Sequence, residues 1–439
     1  MARRRKVKSK VYELNIESLS HEGRGISHHD NKIIFTRGAL PGEKVIASRS
    51  LSRAKYEEAD IVEILQSSPD RIEAKCAVYD ICGGCSFQHL SSKDQIIAKQ
   101  GWLQSAFMGQ AKVLPKQWLE PLQVESWGYR RKARLGVRYV NKKDKVLVGF
   151  RERKTSFITV MERCEVLHPL LGDNLELLGE CIGKLSVKFH VPQIEVAIAE
   201  LDTILILRHL QSLTREDEII LQEYGEKLKV TWYTQSGGLE TVKPLNEAVS
   251  LSYSLPDHDI KMSFLPTDFT QVNFELNQKM INLALQLLDL NKEDEVIDLF
   301  CGLGNFTLPI SRYVKAVVGI EGDSGLIERA KETAIQNGVS NASFYKADLF
   351  EDVSGFEWFR GKKFNKALID PARSGAIEIV ELLPKLDVER LVYVSCNPST
   401  LARDTSRLID LGFTLSSAGV MDMFPQTAHV ESIALFLKK

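Results

Sequence analysis

The chain has 439 residues, 44% hydrophobic and 26% charged, with 57 Lys and Arg against 58 Asp and Glu. Those proportions exclude extended disorder, a collagen-like repeat and a small disulfide-stapled scaffold, and at ~100–200 residues per domain they predict two to four domains. No apolar run approaches the ~18–20 residues a membrane span needs and no hydrophobic stretch follows the basic N-terminus, so the chain reads as cytoplasmic, its seven cysteines being ligands, nucleophiles or core thiols rather than disulfides.

The first segment, 1–68, alternates like short strands at 11–16, 32–35, 43–48 and 59–64, separated by turns such as Gly23-Arg24-Gly25 and Pro41-Gly42. Several short strands in so few residues predict a small closed barrel of the oligonucleotide-binding type. A central α+β domain is predicted over 69–266, with Cys76, Cys82 and Cys85 early and Cys164 later. Residues 267–439 are the clearest. An amphipathic helix at 275–290 precedes strands at 296–300, 316–320, 343–347, 366–369 and 391–395, and two further strands at 414–421 and 432–437 close the domain. This is a parallel α/β, Rossmann-like pattern. Its chemically interesting residues fall at strand C-termini, where ligands of open α/β sheets bind.

Four constellations carry chemistry. The first, Asp298-Leu299-Phe300-Cys301-Gly302-Leu303-Gly304-Asn305-Phe306, ends a strand in glycines that let a cofactor approach the backbone. Position 307 is Thr, so the three-glycine dinucleotide pattern fails. Glu321 at the end of the next strand can accept both hydroxyls of a ribose, and Asp348 one strand later can face an adenine. An Asp before the glycines without a third glycine favours S-adenosyl-L-methionine over a nicotinamide dinucleotide.

The second is Ser395-Cys396-Asn397-Pro398. A core thiol would read the same from spacing, but its place on the cofactor side of the sheet favours a nucleophile. A methyl donor beside a thiol has a chemical logic. A uracil C5 is a poor carbon nucleophile until a thiolate adds to C6, and a base must afterwards remove the C5 proton. Glu431 is the candidate base, although a solvated strand-end carboxylate would look alike in sequence. The third constellation is Cys76, Cys82, Cys85 and distant Cys164, a donor set that suits zinc or an iron–sulfur cluster. The fourth is 129–154, where eleven cations stand against Asp144 and Glu152, interleaved with Tyr129, Tyr139 and Phe150. Together with Trp127 and Phe157 on its flanks, this pattern suits phosphates and unpaired bases. A second basic run, 1–10, can add phosphate contacts.

Taken in order, 298–306, Asp370-Pro371-Ala372-Arg373, Ser395-Cys396-Asn397-Pro398 and His429-Val430-Glu431 resemble the signature motifs of the class I RNA uracil-5 methyltransferases. Gly23-Arg24-Gly25-Ile26 and Leu40-Pro41-Gly42-Glu43 resemble a TRAM domain. The four cysteines are similar to those of the branch that carries a [4Fe-4S] cluster and modifies 23S ribosomal RNA. The resemblance implies that Cys396 is the nucleophile and Glu431 the base. It implies that Gln271, Phe300, Asn305, Glu321, Asp348 and Asp370 line the methyl-donor site, with Asp at 348 where some members carry Asn. It implies further that Cys76, Cys82, Cys85 and Cys164 hold the cluster, and that the enzyme is a monomer acting on rRNA without a membrane. Two rivals differ in what they require. A cytosine-5 RNA methyltransferase usually carries a second cysteine near its Asp-Pro motif, which 370–373 lacks. An RNA-binding assembly factor would not need an intact Cys396 and Glu431.

Overall fold

The computed structural model describes residues 10–438. The basic run 1–10 therefore lies outside the described residues except for Lys10, whose ammonium reaches Asp30 at 3.1 Å. The chain folds as two compact units. The first runs up to Trp102 and takes in Phe424–His429; the second comprises Leu103–Met423 and the chain from Val430 onward.

The first unit opens with a six-stranded sheet ordered Val11–Asn15, Lys44–Ser52, Tyr56–Gln66, Lys32–Arg37, Arg24–His29 and Ser18–Leu19. Strict alternation puts Tyr12 and Leu14 inward and Val11 and Glu13 outward. The inner face packs these two with Ile16, Ile34, Ala39, Val45, Ala47 and Ala59. Three register shifts between Lys44–Ser52 and Tyr56–Gln66 bend this sheet. Gly23-Arg24-Gly25, expected to be a turn, instead enters a strand. Only Gly23 adopts the left-handed conformation (φ +72°). Gly25 is required by crowding, since a Cβ there would lie 2.7 Å from Ile16 Cγ2 and 2.9 Å from Ala39 Cβ.

The second unit holds two large sheets. One is ordered Lys243–Pro244, Thr231–Gln235, Thr203–Arg208, Gln193–Ile198, Lys132–Val140 and Lys145–Gly149. Against it lie the helices Leu175–Lys184 and Arg215–Leu228, the latter closed by a capping box between Thr214 and Asp217. A hairpin, Leu251–Leu255 with Ile260–Phe264, leads to the helix Phe274–Leu288.

The other sheet has eight strands, ordered Ala342–Lys346, Ala316–Glu321, Glu295–Leu299, Lys366–Ile369, Arg390–Ser395, Glu431–Lys438, Phe413–Met421 and Gln117–Trp118. Near-continuous apolar runs such as Val296, Ile297 and Leu299 bury both faces, as parallel strands demand. Glu431–Lys438 alone runs antiparallel to its neighbours. Strand order reverses between Glu295–Leu299 and Lys366–Ile369, the switch point at whose C-terminal side ligands of such sheets bind. No described helix is long and apolar enough to cross a membrane.

Candidate methyl-transfer site

The glycine turn leaves Glu295–Leu299 at the switch point. Phe300 takes φ +65°, Gly302 +55° and Gly304 +85°. A Cβ on Gly302 would meet nothing within 4 Å, so this turn is bare on its open side, as close approach of a ligand requires. Glu321 Oε2 accepts the Gly302 N–H at 3.1 Å and Oε1 accepts that of Asp323 at 3.0 Å, so the carboxylate braces the turn it faces. Asp348 is exposed and its Oδ1 accepts the Phe350 N–H at 3.0 Å. This bond draws Phe350 toward Phe300, with ring centroids 5.6 Å apart. Phe350 carried no sequence signal beyond its nearness to Asp348.

Asn305 is placed differently from a lining residue with a spare amide. Its Oδ1 accepts from Tyr253 Oη (2.8 Å) and from Asn277 Nδ2 (3.0 Å), and its Nδ2 donates to Asn277 Oδ1 (2.9 Å). It ties the turn to the helix Phe274–Leu288 and to the hairpin. Neither partner was visible to a motif: Asn277 lies on a helix predicted from its apolar face alone, and Tyr253 on a hairpin with no signal of its own in the sequence.

Beneath the turn, Asp298 is wholly buried and bonded to the Thr307 hydroxyl. Burial pushes its carboxyl up to about 7. Cys301 packs underneath as well: a Cβ added to Gly319 would lie 2.9 Å from its sulfur. Burial lifts its thiol far above the ordinary range, consistent with a core role.

Gln271 is half-buried on the segment joining the hairpin to the helix at Phe274. Residues from the basic stretch hold this segment. Arg131 donates its backbone N–H to Val272 O (3.0 Å), and Lys132 Nζ donates to Pro266 O (3.2 Å) and to Asp268 O. The Arg131 guanidinium donates to Ala199 O (2.9 Å) and lies 4.9 Å from the Phe274 ring. Arg130 Nε donates to Lys132 O. These three cations are committed to the protein itself, and burial lowers the Lys132 ammonium to about 8. Arg134, Arg138, Lys142, Lys143, Lys145 and Arg151 are exposed.

The candidate nucleophile and base come from adjacent antiparallel strands. Arg390 pairs with Leu437 and Ser395 with Ser432, so one step further the register sets Cys396 across from Glu431. Ser432 Oγ locks the strand ends by donating to Ser395 O (3.2 Å). Asn397 turns the chain: its Oδ1 caps the helix Pro398–Asp410 by accepting from Ser399 N–H (3.1 Å), and its Nδ2 donates to Arg373 O (3.0 Å). Cys396 is half-buried, and its thiol is raised to about 11 by burial first, then by the charges of Glu431 and Asp370; Arg373 opposes them. Two carboxylates and a guanidinium thus act on one thiol at the C-terminal edge of the parallel strands.

Cys76, Cys82 and Cys85 lie in the first unit on a turn-rich loop between Gln66 and Ser92, and Cys164 lies buried in the second. The Gly84 N–H donates to Cys82 Sγ at 3.4 Å. Among the described residues no group of three or more His, Cys, Asp or Glu side chains is arranged to hold a metal ion. The loop itself is firmly tied. Gln426 O accepts the Ser86 and Phe87 N–H groups (2.9 and 3.0 Å). Buried Gln95 donates to Phe87 O, Leu90 O and Gln426 Oε1, and its own Oε1 accepts the Gln426 N–H (2.9 Å).

Strand order, switch point and glycine turn together define the class: a Rossmann-like methyltransferase fold. Comparison with known proteins agrees. The family described as tRNA (Uracil-5-)-methyltransferase matches residues 201–439, and the TRAM domain matches residues 5–48. A relative from Vesicomyosocius okutanii, named 23S rRNA (uracil(1939)-C(5))-methyltransferase RlmD, is 65% identical over the whole of both chains. One of the same name from Nitrosococcus oceani is 48% identical over 99% of this chain and 98% of its own. The crystal structure of Pyrococcus abyssi tRNA (uracil-54, C5)-methyltransferase, in complex with S-adenosyl-L-homocysteine, superposes with a TM-score of 0.75, covering 97% of this chain and 99% of that one at 20% identity. The chain belongs to the RNA uracil-5-methyltransferase family.

Proposed function

We propose that the protein uses S-adenosyl-L-methionine to methylate C5 of a uridine in 23S rRNA, the uridine at position 1939 named for its relatives. The observation that carries this reading is the strand register that sets Cys396 across from Glu431 at the C-terminal edge of the parallel strands. Bound there, the sulfonium supplies an electrophilic methyl group and a positive charge. Once its proton has passed to solvent, the Cys396 sulfur forms a bond to C6 and the displaced π electrons move onto C5 and the O4 carbonyl; C5 then takes the methyl as its bond to the sulfonium sulfur breaks, leaving S-adenosyl-L-homocysteine. Glu431 accepts the C5 proton, the C5–C6 double bond re-forms, and the C6–S bond breaks to return the thiolate. The target base must leave its stack to present the ring face to sulfur. Glu321, Asp348, Gln271, Phe300, Asn305 and Asp370 form the donor site, the first by bracing the turn and Asn305 by anchoring it.

In the same reading Cys76, Cys82, Cys85 and Cys164 hold a [4Fe-4S] cluster. Support comes from the all-thiol donor set and from the N–H donated to Cys82 Sγ, the kind of bond that tunes cluster sulfurs. Methyl transfer moves no electrons, so the cluster stands outside the reaction. Both reacting side chains belong to one chain, which favours a monomer, and an rRNA substrate fits a cytoplasmic location. The test is trapping. Glu431→Gln should accumulate a covalent RNA adduct that survives denaturing electrophoresis, and Cys396→Ala should form none. Methyl transfer by Cys396→Ala would refute the assignment.

A further inference from the structure

The sequence placed the basic stretch as a whole against RNA, yet its first three cations point inward. Of the exposed remainder, Arg134 and Lys145 pair with Glu195 and Glu176, while Lys142 and Lys143 lie on the turn next to Tyr139. At the end of the strand Lys132–Val140, Tyr139 continues the inward row formed by Ala133, Leu135 and Val137, just past the covered core. Phe189, from the short turn Lys188–His190, meets it edge to face with ring centroids 4.5 Å apart. Phe189 nevertheless remains 59% exposed. Its turn is rigid: His190 N–H donates to Val187 O (2.7 Å), Lys188 N–H to Leu185 O (3.3 Å) and Leu210 N–H to His190 O (2.9 Å). The Lys188 ammonium stands 5.2 Å from the Tyr139 ring centre and 5.6 Å from that of Phe189. The hairpin turn that follows, Asn141–Lys143, adds two exposed lysines, and the Tyr139 hydroxyl donates to Asp144 across it.

We propose that Phe189, with Tyr139 behind it and Lys188, Lys142 and Lys143 beside it, is a docking platform for an unpaired nucleotide of the RNA substrate outside the target base. What sets Phe189 apart from other exposed rings is its setting, a second ring behind it and an ammonium within 6 Å of both. The surrounding cations select a stacking partner that carries negative charge. An unpaired nucleotide has both properties: its base covers a ring and its phosphate meets an ammonium. A protein partner with an acidic rim is the other chemistry such a surface could take, and it is an outcome of the test.

The inference rests on RNA being the substrate. The full chain is assayed with a 23S rRNA fragment spanning the target uridine, by gel shift and by methyl transfer. Phe189→Leu keeps the apolar cover over Tyr139 but loses the flat ring. It is expected to weaken RNA binding and raise KM about tenfold, with kcat and thermal stability unchanged. Lys188→Gln should reduce the slope of log Kd against log salt by about one contact, which loss of stacking alone would not do. Wild-type affinity in Phe189→Leu would overturn the proposal, because it would make the ring a hydrophobic plug or the seat of a protein partner. If the wild type binds this RNA but does not methylate it, the functional reading fails and the platform still stands or falls on the binding data.

Discussion

Replacing Glu431 by Gln should make Cys396 more reactive toward a small electrophile even as it stalls turnover. In the resting site the thiol sits near 11, against about 8.5 for a free cysteine. Burial is the largest cause. The rest comes from the charges of Glu431 and Asp370, opposed by Arg373. Glu431 is the first of those charges, and removing it lowers the pKa, because a thiolate no longer faces a carboxylate. At neutral pH each pKa unit lost raises the thiolate fraction about tenfold. The assay is iodoacetamide alkylation of Cys396 followed by mass spectrometry across pH 6–10, without RNA or methyl donor. The rate–pH curve of Glu431→Gln should shift to lower pH, and a lysine- or arginine-like cation placed beside the thiol should do the same. Superimposable curves would refute the reasoning, for the two groups would then not face each other.

Other outcomes follow from the same geometry. Asp298 has a folded pKa of about 7, above the ~3.9 of an unfolded Asp; the folded chain takes up a proton between these values, so this group's effect is to lower stability as pH rises from about 4 to 7. Asp298→Asn should therefore raise the melting temperature more at pH 8 than at pH 5, and an equal shift at both would contradict the burial argument. Gly302→Ala should raise KM for the methyl donor at least tenfold while costing only ~1–2 kcal/mol in stability from its left-handed backbone; unchanged KM would place the donor elsewhere. Gln95→Leu strands the Gln426 N–H and the Leu90 carbonyl, a loss of about 2 kcal/mol that should appear as faster amide exchange across 86–95 and 424–428; native protection there would refute it. Anaerobically purified protein should be brown with about four irons per chain, and Cys82→Ser should lose them; a colourless zinc protein would overturn the cluster.

The contrast between Cys396 and Lys132 explains what a sequence of this kind can and cannot disclose. The strand pattern of the last domain was readable because parallel strands bury both faces, and a run such as Val296–Leu299 has few other uses. Once those strands are placed, their C-terminal residues are placed with them, so Glu321, Asp370 and Cys396 fall at one edge, and Glu431 joins them because its antiparallel strand begins there. Charge is different. Arg130, Arg131 and Lys132 look like Lys142 and Lys143 in composition, yet the first three donate to backbone carbonyls of the protein itself, Lys132 to the segment leading to Gln271, and the other two face solvent. What separates them is the depth of each residue along one hairpin. The inward row ends at Tyr139, and the backbone carbonyls of a neighbouring segment reach only the hairpin's first residues. No period in the sequence records that neighbour, because it lies some 130 positions away in the chain. The anchoring of Asn305 by Tyr253 and Asn277 was hidden for the same reason. Long-range polar contacts fix the working geometry of the site, whereas the local apolar pattern fixes only where the site must be. Substitutions at Lys132 and Asn277 should therefore act as donor-site variants, raising KM for the methyl donor with RNA affinity intact, although neither residue belongs to a signature motif. RNA affinity that fell with Lys132→Met while that KM held constant would return this lysine to the RNA-binding surface.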